Sequence, residues 1–137
     1  MKAFRSFYPE EAQAILQQYH KREKHMILAT IRMAIPPQKR VEALKIIRLI
    51  AERCSDDTGC LGFHLYEDLQ EKNVIMLEEV WKAQEDLDLH LSSDEYRNLL
   101  MVLEMAVKQP EIRFDTISSS TGIETIEKAR NNARRIF

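Results

Sequence analysis

Four residues in one short span carry most of the chemistry this chain can offer: Glu79, Trp81, His90 and Tyr96. Glu79 and Trp81 stand two apart in Val74–Trp81, a run of β-branched and large apolar residues, so a strand there places both on one face. His90 shares a helical stripe with Leu87 and Leu91 just downstream. A carboxylate, an imidazole and an indole that meet at a strand end can line a small pocket, where the imidazole takes up a proton near neutral pH. The same residue types also serve packing, because a Trp at a strand end and a His on a helix stripe are ordinary parts of a core. His64 is a second candidate base, facing either the same cavity or a subunit surface. Arg32 can hold an anionic group or form a structural ion pair.

Other chemistries lack their signatures. The glycines are Gly59, Gly62 and Gly122, so no glycine-rich phosphate cradle and no dinucleotide or flavin fingerprint exists. No HExxH or GxSxG occurs, and His20, His25, His64 and His90 lack metal-ligand spacing. Cys54 and Cys60 flank SDDTG and are too few for a zinc site. In a reducing compartment they are expected as thiols rather than a disulfide. Net charge is −2 with both signs interspersed, which argues against nucleic acid as a partner. No apolar run reaches the roughly 18–20 residues that cross a bilayer. MKAFRSFYPEE lacks the apolar region of a signal peptide, so the protein is expected in the cytoplasm, with no membrane partner. At 137 residues, 45% hydrophobic and 31% charged, the chain suits one soluble globular domain with short extensions.

The elements that must position the four residues follow from pattern. Tyr8–Lys24 reads as an amphipathic helix, with Pro9 and two glutamates at its start. Met26–Ile35 is a strand with Ile27, Ala29, Ile31, Met33 and Ile35 on one face and Leu28, Thr30 and Arg32 on the other. Pro36-Pro37 stops it and starts a helix, Gln38–Cys54, with an apolar stripe of Val41, Leu44, Ile47, Ile50 and Ala51. Cys60–Glu67 and Val74–Trp81 form a hairpin in which Leu61, Phe63 and Leu65 alternate with Gly62, His64 and Tyr66. A short helix over Ala83–Leu91 follows. A longer one, Asp94–Gln109, is capped by Ser92 or Ser93, with Ser92 and Glu95 at capping-box spacing. Ile112–Ser118 is the last strand. Thr121 and Glu124 repeat the capping-box spacing before a narrowly amphipathic helix, Gly122–Arg135, that is expected to dock on a partner subunit.

Glu-x-Trp at a strand end, a short helix closing on His-Leu-x-Ser, a Tyr-bearing helix and the Gly59-Cys60 strand start together resemble the antibiotic-biosynthesis monooxygenase type of domain. The resemblance covers roughly residues 26 to 117, leaving residues 1–25 and 118–137 as helical extensions. It implies an α+β fold, a ferredoxin-like βαββαβ antiparallel sheet that pairs into a dimeric α+β barrel, and hence a homodimer. It implies oxygenase chemistry on a quinol-like or electron-rich phenolic molecule without metal or organic cofactor. His90 or His64 would then be the base, Glu79 or Arg32 the orienting group, and Trp81 and Tyr96 the walls that pack the ring. Members that degrade haem carry an Asn and an axial His where this chain has Thr30 and Leu100, which disfavours haem and leaves those two as substrate-contacting positions. In the polyketide-tailoring branch only Trp81 matches, since Leu77 and Leu87 replace an Asn and a Tyr. Two other readings stand beside the oxygenase: a non-catalytic dimeric barrel that binds a small apolar ligand, and a different enzyme such as an isomerase or decarboxylase.

Overall fold

The computed structural model describes residues 24–136 and, ahead of them, Glu10 and Glu11. The expected helix over Tyr8–Lys24 therefore lies almost wholly outside the described residues. From there the order is β1 (Met26–Ala34), a 3-10 turn (Pro37–Lys39), α1 (Arg40–Asp56), β2 (Cys60–Glu67) and β3 (Val74–Trp81). Then come α2 (Gln84–Leu91), α3 (Tyr96–Met105), β4 (Glu111–Ile117) and α4 (Ile123–Ile136). The strands form one antiparallel sheet in the order β2-β3-β1-β4. This is the ferredoxin-like βαββαβ arrangement expected from the sequence.

Because paired residues share a face, the register sorts the sheet into two sides. Ile27, Ala29, Ile31 and Met33 of β1 stand opposite Trp81, Glu79, Leu77 and Ile75 of β3. All eight are buried beneath α1, α2 and α3. Thr30 and Arg32 stand opposite Glu78 and Met76 on the side without helices. No described helix is long and apolar enough to cross a membrane.

Three local features depart from the pattern. In α1 the buried stripe is Ala43, Ile47 and Ile50, while Val41 is 81% exposed. Val41 stands two residues before Ala43, about 200° round the helix, so with Ala43 facing the sheet Val41 faces solvent. In β2 the register slips between Cys60 and Gly62: Cys60 pairs with Trp81, whereas Gly62 pairs with Val80 and Phe63 with Glu79. The extra residue is Leu61, and this bulge turns Cys60 rather than Leu61 to the side of Phe63. Cys60 then meets the end of α1, where it is disulfide-bonded to Cys54 with Cα atoms 5.5 Å apart. The thiol expectation is corrected by this turn, whose backbone bonds Asp57 N–H to Cys54 O and Cys60 N–H to Asp57 O bring the two cysteines together.

Third, α3 is shorter than expected. Ser92 forms no capping box; its hydroxyl donates to the Asp88 carbonyl at 2.9 Å. Ser93 takes the cap instead, accepting the Tyr96 N–H at 3.3 Å. At the other end Ala106 turns extended and the Val107 N–H bonds to the Ala34 carbonyl at 3.0 Å, so the helix stops before Pro110. In α4, every described side chain from Ile123 to Arg134 is exposed, the two isoleucines Ile123 and Ile126 included.

Candidate active site

Strand β3 ends with Glu79 and Trp81 projecting toward the helices. Glu79 is only 3% exposed and is the sole buried charged side chain among the described residues. Its Oε2 accepts the Trp81 Nε1–H at 2.9 Å, so the i, i+2 spacing of the strand supplies the carboxylate's one hydrogen bond. Helix α2 packs Leu87 into the core beside Trp81. Three residues on, it lays His90 over the indole, with ring centroids 4.5 Å apart and planes 29° from parallel. His90 Nε2 lies 3.4 Å from Glu79 Oε2, an ion-pair distance without hydrogen-bond alignment. The imidazole is 8% exposed.

Tyr96, the first residue of α3, meets His90 edge-on at 5.2 Å. Burial raises the Tyr96 phenol above its ordinary pKa, and the negative charge of Glu79 adds to the rise. Glu79 Oε1 and His90 Nε2 are buried and unpartnered. Buried polar atoms are nearly always satisfied, so two orphans side by side call for a ligand or water as their partner. Beside them lies a cavity of about 30 Å³, room for one water, lined by Arg53, Asp57, Phe63, Trp81, His90 and Glu95 among others.

The structure thus brings Glu79, Trp81, His90 and Tyr96 together. His64, Thr30 and Arg32 sit on the opposite side of the sheet. His64 is exposed, beside Tyr66 with ring centroids 6.2 Å apart. Arg32 is taken up by Asp68 at 3.0 Å and Glu71 at 3.1 Å, which also hold its guanidinium more firmly charged than usual. Leu100 is exposed on α3. Among the described residues, no group of three or more His, Cys, Asp or Glu is placed to hold a metal ion.

Sequence reasoning missed Arg53, Asp57, Phe63 and Glu95. Phe63 was accessible in principle, since it stands opposite Glu79 in the hairpin once the bulge is counted. Glu95 stands at capping-box spacing from Ser92, a signal that points to a helix start and not to a site. Arg53 carries no local signal, being one of several charges on α1.

The sequence profile of the antibiotic biosynthesis monooxygenase family matches residues 26–100, more than half of the chain. The chain belongs to the antibiotic biosynthesis monooxygenase family. An uncharacterized protein of Synechocystis sp., sll1783, is 29% identical over 59 residues. That stretch is 43% of this chain and 40% of the relative, so the chain spans about two-fifths of the length of the curated relative it matches. A candidate antibiotic biosynthesis monooxygenase from Caulobacter crescentus CB15 superposes with a TM-score of 0.64 at 18% identity, covering 75% of this chain and 99% of that one. A conserved protein from Methanosarcina mazei Go1 gives 0.62 at 22%, over 70% and 96% of the two chains. At these identities the likeness is one of fold. The family match fits the β1–α3 unit that builds the site.

Proposed function

We propose that this member of the family is a cofactor-independent monooxygenase acting on a quinol-like or electron-rich phenolic molecule. The observation that carries the reading is the buried Glu79–His90 pair, its imidazole stacked on Trp81 and two of its polar atoms without hydrogen bonds. His90 Nε2 takes the phenolic proton, and Glu79, 3.4 Å away, stabilises the imidazolium that forms. The phenolate then gives one electron to oxygen, and the two radicals join at a ring carbon as a peroxide. Loss of that carbon's proton and cleavage of the O–O bond leave a quinone carbonyl, and the departing oxygen leaves as water with the proton returned by His90. One substrate and one dioxygen thus yield one quinone and one water, with no external reductant. A dry site matters because the carboxylate acts on the imidazole more strongly away from bulk water. Tyr96, edge-on to His90, is a neutral phenol that packs against the base.

Oxygen uptake against a panel of hydroquinones and polyphenols tests the reading. His90→Ala is expected to lower protein-dependent uptake by roughly 10²- to 10⁴-fold, the usual contribution of a positioned base. Uptake unchanged in His90→Ala overturns the role. A bound phenol without uptake would favour the ligand-binding barrel instead.

The assembly supported best is a homodimer. Met26 and Tyr66 are exposed on the uncovered side of the sheet, and Leu28, Met76 and Val80 are only half-buried there. The same face carries Thr30, Arg32, Glu78 and His64, and a face that mixes apolar and polar side chains in this way suits contact with a second copy. Helix α4 points the same way: 14 residues with exposed isoleucines and no core of their own make a marginal helix in water, so it docks on the second copy. Light scattering is expected to give twice the chain's mass, and removal of residues 119–137 to shift the balance toward monomer.

A further inference from the structure

The geometry points to Arg53 and Glu95 as the gate of the Glu79–His90 site, an ion pair whose separation opens the small cavity to an aromatic ring. The nature of the substrate rests on the oxygenase reading; the gate is defined by the protein alone. A cavity that takes up a benzene ring is about 150 Å³, five times the roughly 30 Å³ present. Part of the lining must therefore move before a ring can stack on Trp81.

Half of the lining is held in place by the core, the disulfide or backbone hydrogen bonds. Ile50 and Trp81 are buried in the core, and Cys54 is tied to Cys60. Asp57 is exposed but pinned: its carboxylate accepts the Gly59 N–H at 2.8 Å, its carbonyl accepts the Cys60 N–H at 3.1 Å, and its own N–H donates to Cys54 O. Arg53 is different. Its side chain is 72% exposed and meets Glu95 at 3.3 Å, Nε to Oε1, while Glu95 beneath it is only 16% exposed. A pair with one end in water is weakly held and opens readily. The disulfide at the next residue fixes the backbone, so the motion is that of the Arg53 side chain.

What the open gate reveals has a definite chemistry. Glu95 Oε1 and His90 Nε2, both on residues that line the cavity, are buried and without hydrogen bonds. A neutral phenol or hydroquinone, its ring between Phe63 and Trp81, can donate its hydroxyl hydrogen to either atom. Arg53 and Glu95 thereby control which ring sizes reach the base.

Trp81 is the chain's single tryptophan, so its fluorescence reports on this cavity. Acrylamide quenching of the full chain is the test. Arg53→Ala is expected to raise the quenching constant roughly two- to fivefold, the population change that loss of such an exposed pair produces. High salt should move the wild type in the same direction, and Arg53→Lys should stay near wild type. Quenching unchanged in Arg53→Ala, with native circular dichroism, overturns the gate. If that variant does not fold, Glu95→Gln should give the same rise, and unchanged quenching in it overturns the gate equally. Because quenching is read without substrate, a gate that opens in a protein that consumes no oxygen overturns the oxygenase reading and leaves the gate standing.

Discussion

Toward one end of the helix-covered face, Ile31, Met33, Ile75 and Leu77 meet Ala43, Ile47, Leu99 and Val102, and the buried charged side chain, Glu79, is not among them. Toward the other end, Ile27, Ala29, Trp81 and Leu87 surround the Glu79 carboxylate. The same two central strands build both clusters, and the same alternation points their residues inward. What differs is cost. The aliphatic end gains from every side chain it buries, about 1.5–3 kcal/mol each. The Glu79 end must desolvate a carboxylate and an imidazole and leaves two of their atoms unsatisfied. Stability at one end of the sheet thus offsets the cost of the buried polar pair at the other.

Substitutions can break that division in order of effect. Ile47→Ala should cost the most stability, about 2–5 kcal/mol, because Ile47 is fully buried at the aliphatic end. Urea denaturation measures it, and oxygen uptake per folded molecule should hardly change. Uptake that collapses with Ile47→Ala in the folded fraction would show that the two ends are coupled. Trp81→Phe keeps a ring in place but removes the donor to Glu79 Oε2, leaving that oxygen buried without its hydrogen bond. A loss of about 1–3 kcal/mol is expected, together with a fall in uptake that Ile47→Ala does not share.

The smallest effect concerns pH. The Tyr96 phenol has its pKa raised from 10.0 by burial, so the folded protein holds that proton more tightly than the unfolded chain. Its contribution to stability is complete below pH 10 and is lost as pH rises from there through the folded pKa. Tyr96→Phe should flatten that alkaline decline, seen in melting temperature against pH. A decline that persists unchanged assigns it to other groups.

The strand pattern was the most legible part of the chain. Cys60–Glu67 and Val74–Trp81 read from alternation and turn residues alone, and both appear with those bounds. Val74–Trp81 needed nothing beyond a period of two to place Glu79 beside Trp81. Helix ends were less legible. The Ser92–Glu95 spacing suggested a box, yet Glu95 turns inward to Arg53, and Val107 leaves the helix to pair with Ala34. Local capping signals compete there with partners far away in sequence, and the distant partners win.

The sequence by itself determined the βαββαβ order, the inward face of β1 and β3, and the meeting of Glu79 with Trp81. Each follows from the short-range geometry of strands and helices. Only the tertiary structure decided that the β2 bulge turns Cys60 toward Cys54, that His90 lies over Trp81, and that Arg53 closes on Glu95. Those outcomes depend on how α1, α2 and α3 settle on the sheet, because a single bulge residue turns side chains to a different neighbour without changing any pattern that the sequence displays.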